Sequence, residues 1–184
     1  MLNLLPKGLW PLGVALALFA TRLPAQTSQG QSQEQDQQPA PCSAAEYRQF
    51  DFWLGEWDVS ADGKPAGRNT ITRVQEGCAL LEQWTSATGP TGMSLNMYDR
   101  TDKHWHQTWV SAGGWVSRLK GRFENGRMVM QSAPTPRRDG TLMIHRWTWS
   151  QTGPGQVRQL WEASADQGRT WKTNFDGRYA SRKK

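Results

Sequence analysis

From Leu54 onward the chain alternates apolar and polar residues in short runs, broken at regular intervals by turn residues. A period of two sends successive side chains to opposite faces of a strand. The pattern predicts about ten strands: 54–61, 68–77, 78–87, 92–99, 103–111, 115–123, 126–133, 141–150, 155–164 and 170–180. Between them lie ADGKPAG, ATGPTG, DRTDK, AGG, ENG, PTPRRDG, TGPG and DQG, all of hairpin-turn composition. Strands joined by such short turns pair as antiparallel neighbours. A meander this long is most stable when it closes on itself, because closure removes both exposed edges. The expected fold is therefore an all-β, up-and-down antiparallel barrel of about ten strands.

Upstream of that pattern the texture differs. Lys7, an apolar run from Leu9 to Ala20 and the small residue Ala25 have the grammar of a cleavable signal peptide over residues 1–25. The apolar run is roughly a dozen residues, below the ~20 that span a bilayer, so no membrane span is expected after cleavage. Residues 26–41, QTSQGQSQEQDQQPAP, have nothing apolar to bury and read as a polar, disordered spacer. The barrel domain is assigned to residues 42–184. At its start, Ser43-Ala44-Ala45-Glu46 offers a hydroxyl cap and an acidic residue ahead of Tyr47, Phe50 and Phe52, which suits a short helix.

An exported chain meets an oxidising compartment, periplasmic or extracellular. Its two cysteines, Cys42 and Cys78, are expected to form a disulfide. The alternative is two buried free thiols. The formal charge of +6 falls to nearer +4 once Lys7 and Arg22 leave with the leader, and the remaining basic residues are scattered. Such a distribution gives solubility and excludes a nucleic-acid footprint.

Ten of the eleven tryptophans lie beyond the spacer, mostly at even spacing within a strand. An aromatic stripe of this kind is barrel core or wall in the first instance. Pattern alone leaves the register open, since a slip of one residue swaps every inward residue for an outward one. We favour the register that turns Glu82, Trp84, Asn96, Gln107, Trp109 and Trp161 into the lumen. Leu81, Met93, Leu95 and Met97 support the opposite one.

The opening FDFWLGEWDV carries Gly55-x-Trp57 just after the helical segment and at the head of the first strand. This resembles the lipocalin and calycin motif. The resemblance implies a tryptophan plugging the closed end of the barrel and a late-strand arginine, Arg178 here, stacked over it. The run from Cys42 to Arg182 also resembles a family of secreted bacterial proteins with an FDFW-x-GEW opening, assigned only as a domain of unknown function. The matching stretches are GCALLEQW, SLNMYD, HWHQTWV, VRQLWEAS and DQGRTW. That resemblance implies a lipocalin-like barrel and brings no reaction, cofactor or catalytic residue.

Several constellations bear on chemistry. His104 and His106 fall on one face of a strand about 7 Å apart, a spacing that seats a metal, with Glu82 or His145 as a third ligand across the barrel. The competing reading is polar residues on an exposed face. SADQGRTW matches an Asp-box, read here as a structural turn in which Asp166 accepts backbone amides and Gly168 supplies positive φ. Glu82 and Glu162 each neighbour a tryptophan and are candidate buried carboxylates. No G-x-S-x-G elbow, phosphate loop or dinucleotide fingerprint is present.

The principal reading is an exported barrel binding a small, partly apolar or aromatic ligand. No cofactor is expected. The alternatives are an enzyme, hydrolase or isomerase, using Glu82 or a His104/His106 metal; a haem barrel ligated by His106 or His145; and an envelope interaction protein with a solid interior.

Overall fold

The computed structural model describes residues 40–182. The expected leader and nearly all of the spacer lie outside them. The elements are two 3-10 turns, Ala45–Arg48 and Asp51–Trp53, followed by strands β1 (Gly55–Ala61), β2 (Lys64–Val74), β3 (Ala79–Ser86), β4 (Gly92–Asp99), β5 (His104–Ser111), β6 (Val116–Glu124), β7 (Arg127–Ser132), β8 (Thr135–Pro136), β9 (Leu142–Gly153), β10 (Gln156–Ser164) and β11 (Lys172–Ser181).

Every pairing is antiparallel and runs between sequence neighbours, apart from β7–β9, which passes over the two-residue β8, and the closing pair β1–β11; β8 pairs only with β9. The ring closes where β1 meets β11, with Trp57 opposite Ser181 and Val59 opposite Tyr179. The result is the expected ten-stranded up-and-down barrel, whose closure leaves no free edge among the ten. No helix among the described residues is long and apolar enough to cross a membrane.

The strand boundaries depart from expectation in one informative place. The stretch ADGKPAG reads as a seven-residue loop, but the turn is only Asp62-Gly63, with φ of 50° and 73°. Two successive positive-φ residues make the tight turn whose twist matches a hairpin. Pro65 then sits in the first residues of β2, where a missing N–H is tolerated. In consequence β2 ends earlier, and Gln75–Gly77 forms a separate 3-10 turn before β3.

The interior divides along the barrel axis. At one end the N-terminal segment folds in as a plug. Phe50 and Trp53 are fully buried and stack at 4.8 Å, Phe50 meets Trp105 and Trp149 edge-on, and Met128 and Met130 fill the remaining space. Trp57 packs here against Tyr179 and donates its indole N–H to the Trp53 carbonyl at 2.9 Å.

The plug is tethered covalently and electrostatically. Cys42 and Cys78 are bridged, joining the segment to the start of β3. Arg48 donates to the carbonyls of Cys42 and Gly77, and Arg73 pairs with Asp51 at 2.6 Å. Ser43 does not cap the first turn as expected. The capping position is Ala44 and no side chain serves it, because the tethers hold the segment instead.

A second correction concerns Arg178. The guanidinium lies on the outer face, mostly exposed and 3.5 Å from Asp176. Strand parity forces this: Tyr179, the next residue, points inward, and Tyr179 is the residue that meets Trp57.

Candidate functional site

The end of the barrel opposite the plug is not filled. A cavity of about 260 Å³ lies there, lined by Trp84, Trp109, Trp115, Trp147, Trp161 and Phe175 together with Glu82, Gln107, Gln159, Tyr179, Ser86, Pro90 and Ser111. The favoured register is the one observed. On β4, Met93, Leu95 and Met97 are 41%, 47% and 40% exposed, while Ser94 and Asn96 are buried between them.

Two walls of the cavity depend on glycine. Trp84 lies across Gly67 of β2, where an added Cβ would stand 2.7 Å from the ring. Trp109 lies across Gly92 of β4 in the same manner, so close that an added Cβ would overlap its ring. Such distances are impossible for real carbon atoms, so each bare backbone is a seat for an indole. The third wall is a cross-strand row, Trp147 on β9, Trp161 on β10 and Phe175 on β11, in direct register. Within it Trp147 and Trp161 stack 5.1 Å apart. The imidazole of His145 sits against both rings and accepts the Trp161 N–H on Nδ1 at 3.1 Å. Its burial depresses its pKa.

Beneath the aromatic walls runs a polar floor spanning β2 to β5. Glu82 is 3% exposed and accepts at both oxygens, from Asn69 at 2.8 Å and from Ser94 at 2.5 Å. Asn96 donates to Ser94 at 2.9 Å, and Gln107 donates to Asn96 at 2.8 Å. Asn69 also reaches the Tyr179 hydroxyl, which donates to Gln159. Burial raises the Glu82 carboxyl to about 7, opposed by the hydrogen bonds from Ser94 and Asn69. Burial, then the Glu82 charge, raises the Tyr179 hydroxyl well above its ordinary value, so the phenol stays neutral.

The floor is not saturated. A carboxylate offers roughly four acceptor sites and two donors occupy Glu82. The buried indole N–H of Trp109, in the cavity wall, has no acceptor, and the Asn69 Oδ1 has no donor. Unpartnered buried polar groups are costly, and the indole N–H groups of Trp53 and Trp149 in the plug carry the same cost.

The expected site residues thus separate. Glu82, Trp84, Gln107, Trp109 and Trp161 line the cavity. Asn96 does not; it is fully buried below and orients Ser94 and Gln107. Glu162 faces outward, its Oε2 held by Arg146 at 2.8 and 3.1 Å. Arg146 in turn lies 3.8 Å above the Trp171 ring. Asp166 accepts from the Thr170 backbone and hydroxyl, Ser164 bonds both Asp166 and the Gly168 amide, and Gly168 has φ of 87°. The Asp-box residues form a structural turn.

The histidine pair is not brought to the lumen. His104 and His106 lie on the outer face of β5, around Asp102, whereas Glu82 and His145 are inside, so these groups share no site. The outward placement of His106 likewise removes it as a haem ligand within the barrel. Asp99, Asp102 and His106 do bring ligand atoms within 4.8 Å of one another. There, however, Lys120 already holds Asp102 at 3.2 Å, supplying the cation a metal would.

Sequence reasoning overlooked Ser94, Asn69, Gln159 and Tyr179. Ser94 shares a face with Asn96 by parity and was accessible to that argument. Asn69 and Gln159 meet their partners across the β2–β3 and β10–β11 hairpins, and only the Asn69–Tyr179 bond joins strands distant in the chain.

The fold and site define a closed ten-stranded antiparallel barrel, plugged at one end, with an aromatic cavity over a buried carboxyl at the other. Comparison with known protein families and with curated protein sequences finds no match to this chain.

Proposed function

We propose that this is an exported binding protein whose barrel holds one small, flat, partly apolar molecule between its tryptophans. The observation that carries the reading is a cavity of about 260 Å³ enclosed by indole rings and floored by Glu82 and Gln107. Aromatic walls with a few convergent polar groups are the usual make-up of a small-molecule site. The exported setting rests on the signal-peptide grammar of residues 1–25 and on the Cys42–Cys78 bridge.

Native mass spectrometry of protein purified from an exporting host tests the reading. A small adduct that disappears on denaturation, or quenching of tryptophan emission by compounds in a panel of flat aromatics, supports it. A bare native mass together with no quenching across the panel overturns it.

A second reading is favoured by one feature, the carboxyl held near neutral pH beside the cavity, which suits general acid–base catalysis. Under that reading Glu82→Gln abolishes turnover of a bound substrate while leaving its affinity largely intact. A bound compound that is never chemically altered by the wild-type protein removes it.

A further inference from the structure

The cavity holds one carboxyl and, among the described residues, no Arg, Lys or His lines it. The groups facing Glu82 are Asn69 on β2, Ser94 on β4 and Trp84 on its own strand, with the neutral phenol of Tyr179 on β11 one hydrogen bond beyond. None brings a positive charge. A buried carboxyl ordinarily keeps a cationic partner, because an unpaired buried charge is expensive. Even the half-buried carboxyls of this barrel, Asp51, Glu162 and Asp176, each hold an arginine. Glu82, the one fully buried carboxyl among the described residues, faces an open space instead of an arginine.

The walls around that space fit a cation as well. Indole faces attract organic cations through the ring quadrupole, most strongly when water is excluded. Here Trp84, Trp109 and Trp161 line the same cavity as the carboxyl. Negative floor and electron-rich walls therefore select the same sign of charge.

From this juxtaposition we infer that the ligand is an aromatic or partly apolar organic cation, its charged nitrogen paired with Glu82 and its flat body stacked among the tryptophans. The inference rests on the cavity-binding reading above and deepens it by naming the missing counter-charge. The nitrogen donates to the unoccupied acceptor sites of Glu82, and proton affinity shifts with it. Ligand and proton compete for one carboxylate, so occupancy by the cation lowers the carboxyl's affinity for a proton.

Three probes of one ring system test it by calorimetry on the disulfide-bonded protein: 2-naphthylmethylammonium, 2-naphthylmethanol and 2-naphthoate. The expected order is ammonium tightest, by about tenfold or more over the alcohol, with the carboxylate weakest. Glu82→Gln, checked for an unchanged far-ultraviolet spectrum, erases the ammonium's advantage and leaves the alcohol's affinity nearly as it was. Should that variant misfold, the wild-type profile decides: ammonium affinity climbs between pH 6 and 8 while alcohol affinity stays level. Equal binding of all three, or tightest binding of the carboxylate, overturns the cationic assignment and leaves the cavity reading standing. Binding of none of them, at any pH in that range, overturns both.

Discussion

The indole rings of Trp147 and Trp161 lie 5.1 Å apart and within 6° of parallel, facing each other from adjacent strands. His145 holds the outer member of the pair by accepting its N–H. That bond requires Nδ1 to be unprotonated, and burial keeps it so.

Acid should therefore disturb this wall. The folded-state pKa of His145 lies below the ordinary 6.5, so its contribution is intact above that value and is lost as pH falls below it. Near-ultraviolet circular dichroism should show the tryptophan signal changing on acidification before the global unfolding transition. His145→Phe keeps the packing and removes the titration; the same acid change in that variant would show that another group causes it.

Glu82 produces the opposite slope. Its carboxyl titrates at 4.5 in an unfolded chain and at about 7 in the barrel, so the native state holds the proton more tightly in that window. Stability from this group is full below pH 4.5 and falls as pH rises through 7, by on the order of 3 kcal/mol. Urea unfolding at pH 5 and pH 8 should show the loss in the wild type and a flattened profile in Glu82→Gln. An identical slope in both proteins would place the titration elsewhere.

Gly92→Ala drives a methyl group into the ring of Trp109. The strand or the indole must shift, at a cost of about 1–3 kcal/mol, and the ring borders the open space of the cavity. Thermal melting should fall and binding of any cavity probe should weaken together. Gly126→Ala, with nothing within 4 Å of its added Cβ, strains a turn at φ of 74° without touching the cavity. It should lower stability while sparing binding, and matched loss of binding in both variants would separate the cavity from Trp109.

The Cys42–Cys78 bridge encloses 36 residues of separation and anchors the plug. Replacing both cysteines by serine should cost about 2–4 kcal/mol on the chain-entropy account, read from the guanidinium midpoint. The Phe50 and Trp53 segment should then exchange amide hydrogens faster than the strands. Uniform exchange throughout would show that packing, not the bridge, holds the plug.

Asp166 organises the β10–β11 connection by accepting from Thr170 twice and from Ser164. Thr170 first, and then Ser164, hold its carboxyl far below the usual range. Asp166→Ala should lower the melting temperature without changing any cavity affinity, since the turn lies outside the lining. Lost affinity at full stability would mean that the turn forms part of the mouth.

Much of this architecture is written locally. Alternation along β3, β5 and β10 places Glu82 with Trp84, Gln107 with Trp109, and Val157 with Trp161 on shared faces. Turn residues such as Asn125-Gly126 end strands by their own backbone preference. Closure follows because ten paired strands would otherwise leave two edges unpaired. The burial of Trp57 at the plugged end agrees with what the lipocalin resemblance of Gly55-x-Trp57 implies.

Which face was inside was not decided by any strand alone. β4 carries Met93, Leu95 and Met97 on one face and Ser94 and Asn96 on the other, and hydropathy alone would bury the first set. The polar set is buried because Glu82 and the Leu80 carbonyl on β3, and Gln107 on β5, satisfy it, and burial is cheap only for groups that are paired. The same holds for Arg178 and Tyr179, whose order along β11 means nothing until β1 fixes the register. The sequence by itself determined the strands, the turns and the closed barrel, since these depend on neighbours in the chain. The tertiary structure alone decided where the plug stops and the cavity begins, and why a carboxyl without a counter-charge faces it, because those depend on side chains meeting across the barrel.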